Sequence, residues 1–228
     1  MKRIKFTKTK GFSLAEMLVV LTIMGLLMAL AAPNLFSLMG ANTLSSEGVS
    51  IKNQLSYAQQ LALSTNTDVE VRFFRWQDPS APIGFESFSA YQLYSYNSKG
   101  EMVPKSSFFR IPPPVIVSEV LSTLLDVNFG GGTIEESKYG YDSPRFGEAP
   151  APRGSGSNTD VPYVAFRFRP DGSTDLPNRA SEGTAELEGE PWYITLVEGE
   201  ADIENSAPRN YYCIQVNPFN GSISQFRP

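Results

Sequence analysis

The chain has 228 residues, 41% of them hydrophobic, with 19 basic against 24 acidic side chains and no histidine. That length suits one sizeable domain plus an anchor. Without histidine, Ser-His-Asp and Cys-His catalysis are excluded, and so is the commonest transition-metal ligand. The charge is unevenly placed: Lys2, Arg3, Lys5, Lys8 and Lys10 precede any acid, which leaves 14 bases against 24 acids, a net −10, over residues 12–228. A body this acidic repels phosphate backbones, so no nucleic-acid partner is expected.

Behind the basic cluster, residues 12–32 form an apolar run of 21 residues with one charge, Glu16. As a helix it would span about 30 Å, the thickness of a hydrocarbon core. Basic residues before such a run stay cytoplasmic, which sends everything after Pro33 across the membrane. Three other readings compete. A buried core helix is rarely so long beside a basic cluster. A secretory signal finds an A-x-A match at Ala29-Leu30-Ala31, before Ala32, but the apolar segment is longer than a usual h-region and holds an ionisable residue. A plain signal anchor leaves Glu16 unexplained, since a carboxylate within a membrane costs up to about 2.5–3.5 kcal/mol at its centre.

The stretch Lys10-Gly11-Phe12-Ser13-Leu14-Ala15-Glu16-Met17-Leu18-Val19-Val20 resembles the prepilin signature of type IV pilin-like proteins and pseudopilins. The resemblance implies cleavage by a prepilin peptidase between Gly11 and Phe12, N-methylation of Phe12, and a glutamate at the fifth mature position, here Glu16. It further implies that Glu16 pairs with the freed Phe12 amine of a neighbouring subunit and sets axial register during assembly. Pro33 falls where many such pilins carry a helical proline. The implied partners are prepilin peptidase, other pilin or pseudopilin subunits and a membrane assembly platform. A glycine before the cut lets a protease approach the backbone closely.

After Pro33 the apolar residues become periodic: Leu35, Leu38, Met39, Ile51, Leu55, Ala58 and Ala62 follow helical steps, so residues 34–66 are predicted as an amphipathic helix. Gly40 and Gly48 predict a kink or break between 40 and 48. Beyond Asn66 the pattern turns to strands. Asp68–Phe73 alternates like a half-buried strand, and Phe88–Tyr96, Phe108–Ile111, Val115–Val117, Tyr163–Arg169, Trp192–Val197, Tyr212–Val216 and Ser222–Phe226 follow. The last two flank Asn217-Pro218-Phe219-Asn220-Gly221, a hairpin connection. Consecutive strands without long helices between them imply an antiparallel sheet. Residues 130–160, from Gly130-Gly131-Gly132 to Pro150–Ser157, read as a long irregular insertion.

The body is similar to GspH/FimT-type minor pseudopilins in four places. These are the helix end Tyr57-Ala58-Gln59-Gln60-Leu61-Ala62, the strand Asp68–Phe73 after it, the strand and turn Phe166–Gly172, and the terminal hairpin at Asn220-Gly221-Ser222-Ile223.

Other chemistry is weakly marked. The glycines at 130–132 lack the Gly-Lys-Ser/Thr of a phosphate loop. Asp171-Gly172-Ser173-Thr174-Asp175 lacks calcium-loop spacing and reads as a turn. Glu182, Glu186, Glu188 and Glu190 read as a solvated loop, Cys213 as a small core residue, and Phe73, Tyr91, Tyr94, Tyr96, Phe166 and Phe168 as core aromatics.

The expected chain is α+β, a long N-terminal helix packed on an antiparallel sheet. Residues 1–11 are the leader, 12–33 the membrane and filament-core helix, and 67–228 an extracytoplasmic β-rich domain, with the chain crossing the inner membrane once. No catalytic residue, cofactor or metal is expected. The function implied by the resemblance is that of a minor pilin or pseudopilin in a type IV pilus or type II secretion-like filament. Alternatives are a pilin-like adhesion or uptake module, or an unassembled anchored binding domain.

Overall fold

The computed structural model describes residues 12–76, 87–125, 145–150, 160–176, 192–199, 208 and 210–228, with 31–39 and 145–146 described in backbone only. One long helix, α1 (Leu14–Thr65), is followed by strands of a single antiparallel sheet. The architecture is α+β, as the alternation of patterns along the chain predicts. The chain forms two compact units, Met1–Met39 and Gly40–Pro228.

In the second unit α1 buries Leu44, Ile51, Leu55, Ala58 and Ala62. Their helical spacing puts them on one stripe, which packs into the main core. The backbone is helical throughout 40–48, so the break expected there is absent. The two glycines have another cause. A Cβ on Gly48 would lie 2.4 Å from the Tyr212 ring, and one on Gly40 would lie 3.0 Å from the Glu198 carboxylate. Both serve close approach of helix to sheet. Asn66, at φ 53°, takes the left-handed conformation that ends the helix.

The strands are β1 (Val69–Trp76), β2 (Ser87–Tyr96), β3 (Met102–Pro104), β4 (Phe109–Arg110), β5 (Val115–Val117), β6 (Arg145–Pro150), β7 (Asp160–Phe168), β8 (Trp192–Glu198), β9 (Tyr211–Val216) and β10 (Ile223–Phe226). Their order is β10-β9-β8-β5-β2-β1-β7-β6, and the short β3 and β4 share with β5 the edge of β2 away from β1. Two strands lie outside the sequence reading. One is β3, which follows the turn at Gly100 (φ 78°). The other is β6, which falls within the supposedly irregular 130–160 and pairs with β7 from Arg145↔Ala165 to Pro150↔Asp160.

The central strand β1 corrects a further expectation. Instead of being half-buried it is covered on both faces, with Val69, Val71 and Phe73 in the main core. Phe74 and Trp76 lie in a second cluster with Ala90 and Val161, edged by Tyr94, Phe108 and Tyr163. Glu70 sits on that second face at 2% exposure. Its Oε1 meets Arg72 Nε at 2.6 Å and its Oε2 meets Arg167 Nε at 2.8 Å. A carboxylate tolerates such burial only with both oxygens engaged.

Candidate processing and assembly site

The first turn of α1 is built by local chemistry. Ser13 caps the helix: its Oγ accepts the Glu16 N–H at 3.2 Å, while Glu16 Oε2 accepts the Ser13 N–H at 2.8 Å. This reciprocal pair is a capping box, and it satisfies two of the amides that a helix start leaves open. The spacing Ser-x-x-Glu was visible in the sequence and was not read there. Glu16 therefore has a role in its own chain, and its negative charge also suits the positive end of the helix. Among the described residues its carboxylate meets no cation.

Phe12 lies just ahead of this cap, 76% exposed. Of the predicted site residues, Phe12 and Glu16 are thus brought to one helix end, while Gly11 and the basic leader lie outside the described residues. From Leu14 to Leu30 every side chain is exposed, Leu18, Leu21, Leu26 and Leu30 among them. The hydroxyl of Thr22 turns back to the Leu18 and Val19 carbonyls, both at 2.9 Å, so it presents no open donor to an apolar medium. Among the described residues no helix is long and apolar enough to cross a membrane. The described side chains here stop at Leu30, short of the run's end at Ala32, and Pro33 is described in backbone alone.

In the second unit three of the four stretches singled out in the body meet at one point. Gln59 of α1 donates through Nε2 to the Gly172 carbonyl at 3.1 Å and to the Asn220 carbonyl at 2.9 Å. One helix side chain thereby ties the turn after β7 to the hairpin between β9 and β10. Gly221, at φ 63°, completes the contact, because a Cβ there would lie 2.3 Å from the Gly172 oxygen. Thr174 adds two bonds to the Pro218 carbonyl, from N–H at 3.0 Å and Oγ1 at 3.1 Å.

Residues 6–32 match the family model of the prokaryotic N-terminal methylation motif. The N-terminus carries a prepilin-type methylation motif. No curated protein matches the chain. A solved structure, that of the minor pseudopilin EpsH from the type 2 secretion system of Vibrio cholerae, is similar with 8% identity and a TM-score of 0.39 over 81% of this chain and 97% of that one. A superposition so loose transfers no residue roles.

Outside this motif, the other candidate groups are occupied structurally. Asp171 Oδ1 accepts both the N–H of Ser173, at 2.9 Å, and its hydroxyl, at 2.6 Å; it closes its own turn. Asp175 Oδ1 accepts the Arg167 N–H at 2.6 Å. Among the described residues no group of three or more His, Cys, Asp or Glu gathers. The acids Glu182, Glu186, Glu188 and Glu190, and the glycines at 130–132, lie outside the described residues.

Cys213 is half-buried rather than fully buried, and burial pushes its thiol up, a shift partly countered by Thr195. Phe73, Tyr91, Phe166 and Phe168 are core aromatics. Burial pushes the Tyr91 hydroxyl up to about 12, and it lies 3.4 Å from Ser50 Oγ on α1. Tyr94 takes another part: with Tyr163 it sandwiches the Arg72 guanidinium, at 4.3 and 4.4 Å from the ring centroids. Tyr96 faces Arg167 at 5.6 Å. The sequence carried no mark of this arginine-tyrosine layer, because its members come from three strands brought together by pairing.

Proposed function

We propose that the chain is a minor pilin or pseudopilin of GspH/FimT type, stored in the inner membrane, cleaved between Gly11 and Phe12, and assembled into an extracytoplasmic filament. The observation that carries this is the prepilin-type signature at 6–32, followed by the capped first part of α1, whose side chains from Leu14 to Leu30 are all exposed and mostly apolar. An apolar surface on all sides of a helix needs lipid or other apolar helices around it. Lipid supplies that before assembly and neighbouring helices supply it afterwards. Prepilin peptidase, pilin-like subunits and an assembly platform are the partners of this reading.

In it Glu16 acts twice. Within its chain it caps Ser13, and in the filament its charge pairs with the Phe12 amine of a neighbour. An unpaired charge among packed apolar helices is costly, so the pairing favours one stagger over the others. The convergence of Gln59 with Gly172 and Gly221 supports the GspH/FimT assignment, since it gives one structural reason for three of the four similarities. The chain performs no catalysis in this role.

The test is N-terminal mass mapping of the chain from its native membrane. A mature start at N-methyl-Phe12 is expected. A start at Ala32 would instead make it a secreted domain, and an intact leader would make it a plain anchored protein.

A further inference from the structure

Among the described strands the sheet has two outer edges, and they differ in a way that bears on assembly. One edge, β6, carries the exposed Glu148 and Pro150. Charge and proline are the devices that keep an edge strand from pairing further. The other edge, β10, reads Ile223-Ser224-Gln225-Phe226 and has neither within the strand; Arg227 and Pro228 follow it, and Arg227 is turned to Ser45 of α1.

The hairpin fixes which backbone groups of β10 are open. Asn217 N–H donates to the Ser222 carbonyl at 2.9 Å, and Gly221 N–H donates to the Asn217 carbonyl at 2.9 Å. With Gly221 at φ 63°, this is a glycine bulge, with Asn217 opposite both Gly221 and Ser222. Hydrogen-bonded and non-hydrogen-bonded pairs then alternate up the ladder. Ile223↔Val216 is non-bonded, Ser224↔Gln215 bonded, Gln225↔Ile214 non-bonded and Phe226↔Cys213 bonded. Ser224 and Phe226 therefore spend their amides and carbonyls on β9, while those of Ile223 and Gln225 point out of the sheet.

The position of β10 beside α1 gives the rest of the surface. Gln59 reaches the hairpin at Asn220, and Arg227 donates to Ser45 Oγ, so β10 runs along one flank of α1. Residues four apart share a helix face, which puts Val49 and Leu63 on the same flank as Ser45 and Gln59. Both are exposed, at 45% and 51%. Among the described residues β10 pairs with β9 alone, and such an edge beside two exposed aliphatic side chains fits an extended segment that adds one strand and alternates apolar residues toward the helix.

We propose that β10 is an assembly edge: an uncharged extended strand of a neighbouring pilin-like subunit pairs with the outward groups of Ile223 and Gln225 in the filament. This rests on the filament reading above, and the experiment separates the two. The full chain is expressed in its native host as wild type, Gln225→Ala, Gln225→Pro and Gln225→Lys. For each, the N-terminus is mapped and the share in sheared filaments is measured.

Proline at 225 deletes an outward N–H and spares the backbone bonds to β9; the bond that Gln225 Oε1 accepts from the Tyr212 hydroxyl at 2.7 Å is lost in all three variants, so alanine, which removes only the side chain, controls for it. Wild type and Gln225→Ala are expected in filaments alike. Gln225→Pro should be processed to Phe12 yet at least tenfold depleted from filaments. Gln225→Lys, an edge charge on an exposed position, should be depleted likewise and covers the case in which the proline variant is degraded. Normal incorporation of Gln225→Lys, or of a stable Gln225→Pro, overturns the assembly edge and leaves the filament reading standing. A wild-type chain that is never processed, or is processed but absent from filaments, overturns the filament reading, and the edge falls with it.

Discussion

Replacing Glu70 by glutamine tests how the second face of the sheet is held together. The side chain keeps its shape and loses its charge, leaving the guanidiniums of Arg72 and Arg167, 14% and 17% exposed, opposite a neutral amide. Breaking a buried pair from one side costs about 3–5 kcal/mol. Arg72 keeps its two tyrosine faces and both arginines retain some water, so the lower end, about 3 kcal/mol, is expected. For a unit of this size that lowers the melting temperature by roughly 6–12 °C.

Trp76 and Trp192, 4% and 1% exposed, report the transition by fluorescence when the full chain is heated in detergent. The pH dependence gives a second readout. Burial pushes the Glu70 carboxyl up, but Arg72 and Arg167 outweigh it and hold the group below the usual carboxylate range. Its contribution is therefore complete above the unfolded value, near pH 4.3, and is lost as pH falls through the lower folded value. The gap between wild type and Glu70→Gln should close as the solution is acidified below about pH 4. A variant that melts within about 2 °C of wild type at pH 7 would refute the reasoning, as would a gap that persists at pH 2.

Three further outcomes are expected. Gly48→Ala should destabilise by about 1–3 kcal/mol despite alanine's better helix propensity, because the new methyl meets the Tyr212 ring; melting alone and combined with Tyr212→Ala, which should restore part of the loss, checks it. Gln59→Ala removes two bonds to turn carbonyls and should cost about 1–2 kcal/mol, read in the same assay. Glu16→Leu should be inserted and cleaved at Gly11 but poorly incorporated into filaments, and the share of mature chain in sheared filaments against membrane decides it.

What the sequence determined by itself was chiefly what depends on neighbouring residues. The apolar run, the basic leader and the Gly-Phe-x-x-x-Glu spacing are contiguous, so the N-terminal character was legible before any fold. Helix and strand periodicities are also local, and eight strands were placed from them. The terminal hairpin was readable for the same reason, since Asn217 to Gly221 form their turn among themselves.

Tertiary structure decided whatever depends on residues far apart in the chain. Gly40 and Gly48 look like helix breakers in a linear reading and become contact points once Glu198 and Tyr212 lie against them. The polar positions of β1 look solvent-facing until Tyr94, Tyr163 and Arg167 arrive from two other strands to cover them. A strand as short and polar as β6 has no periodic signal of its own and exists because β7 offers it a partner. The edge position of β10 among the described strands is also a tertiary property, because strand order, rather than residue type, decides which backbone groups β9 leaves over.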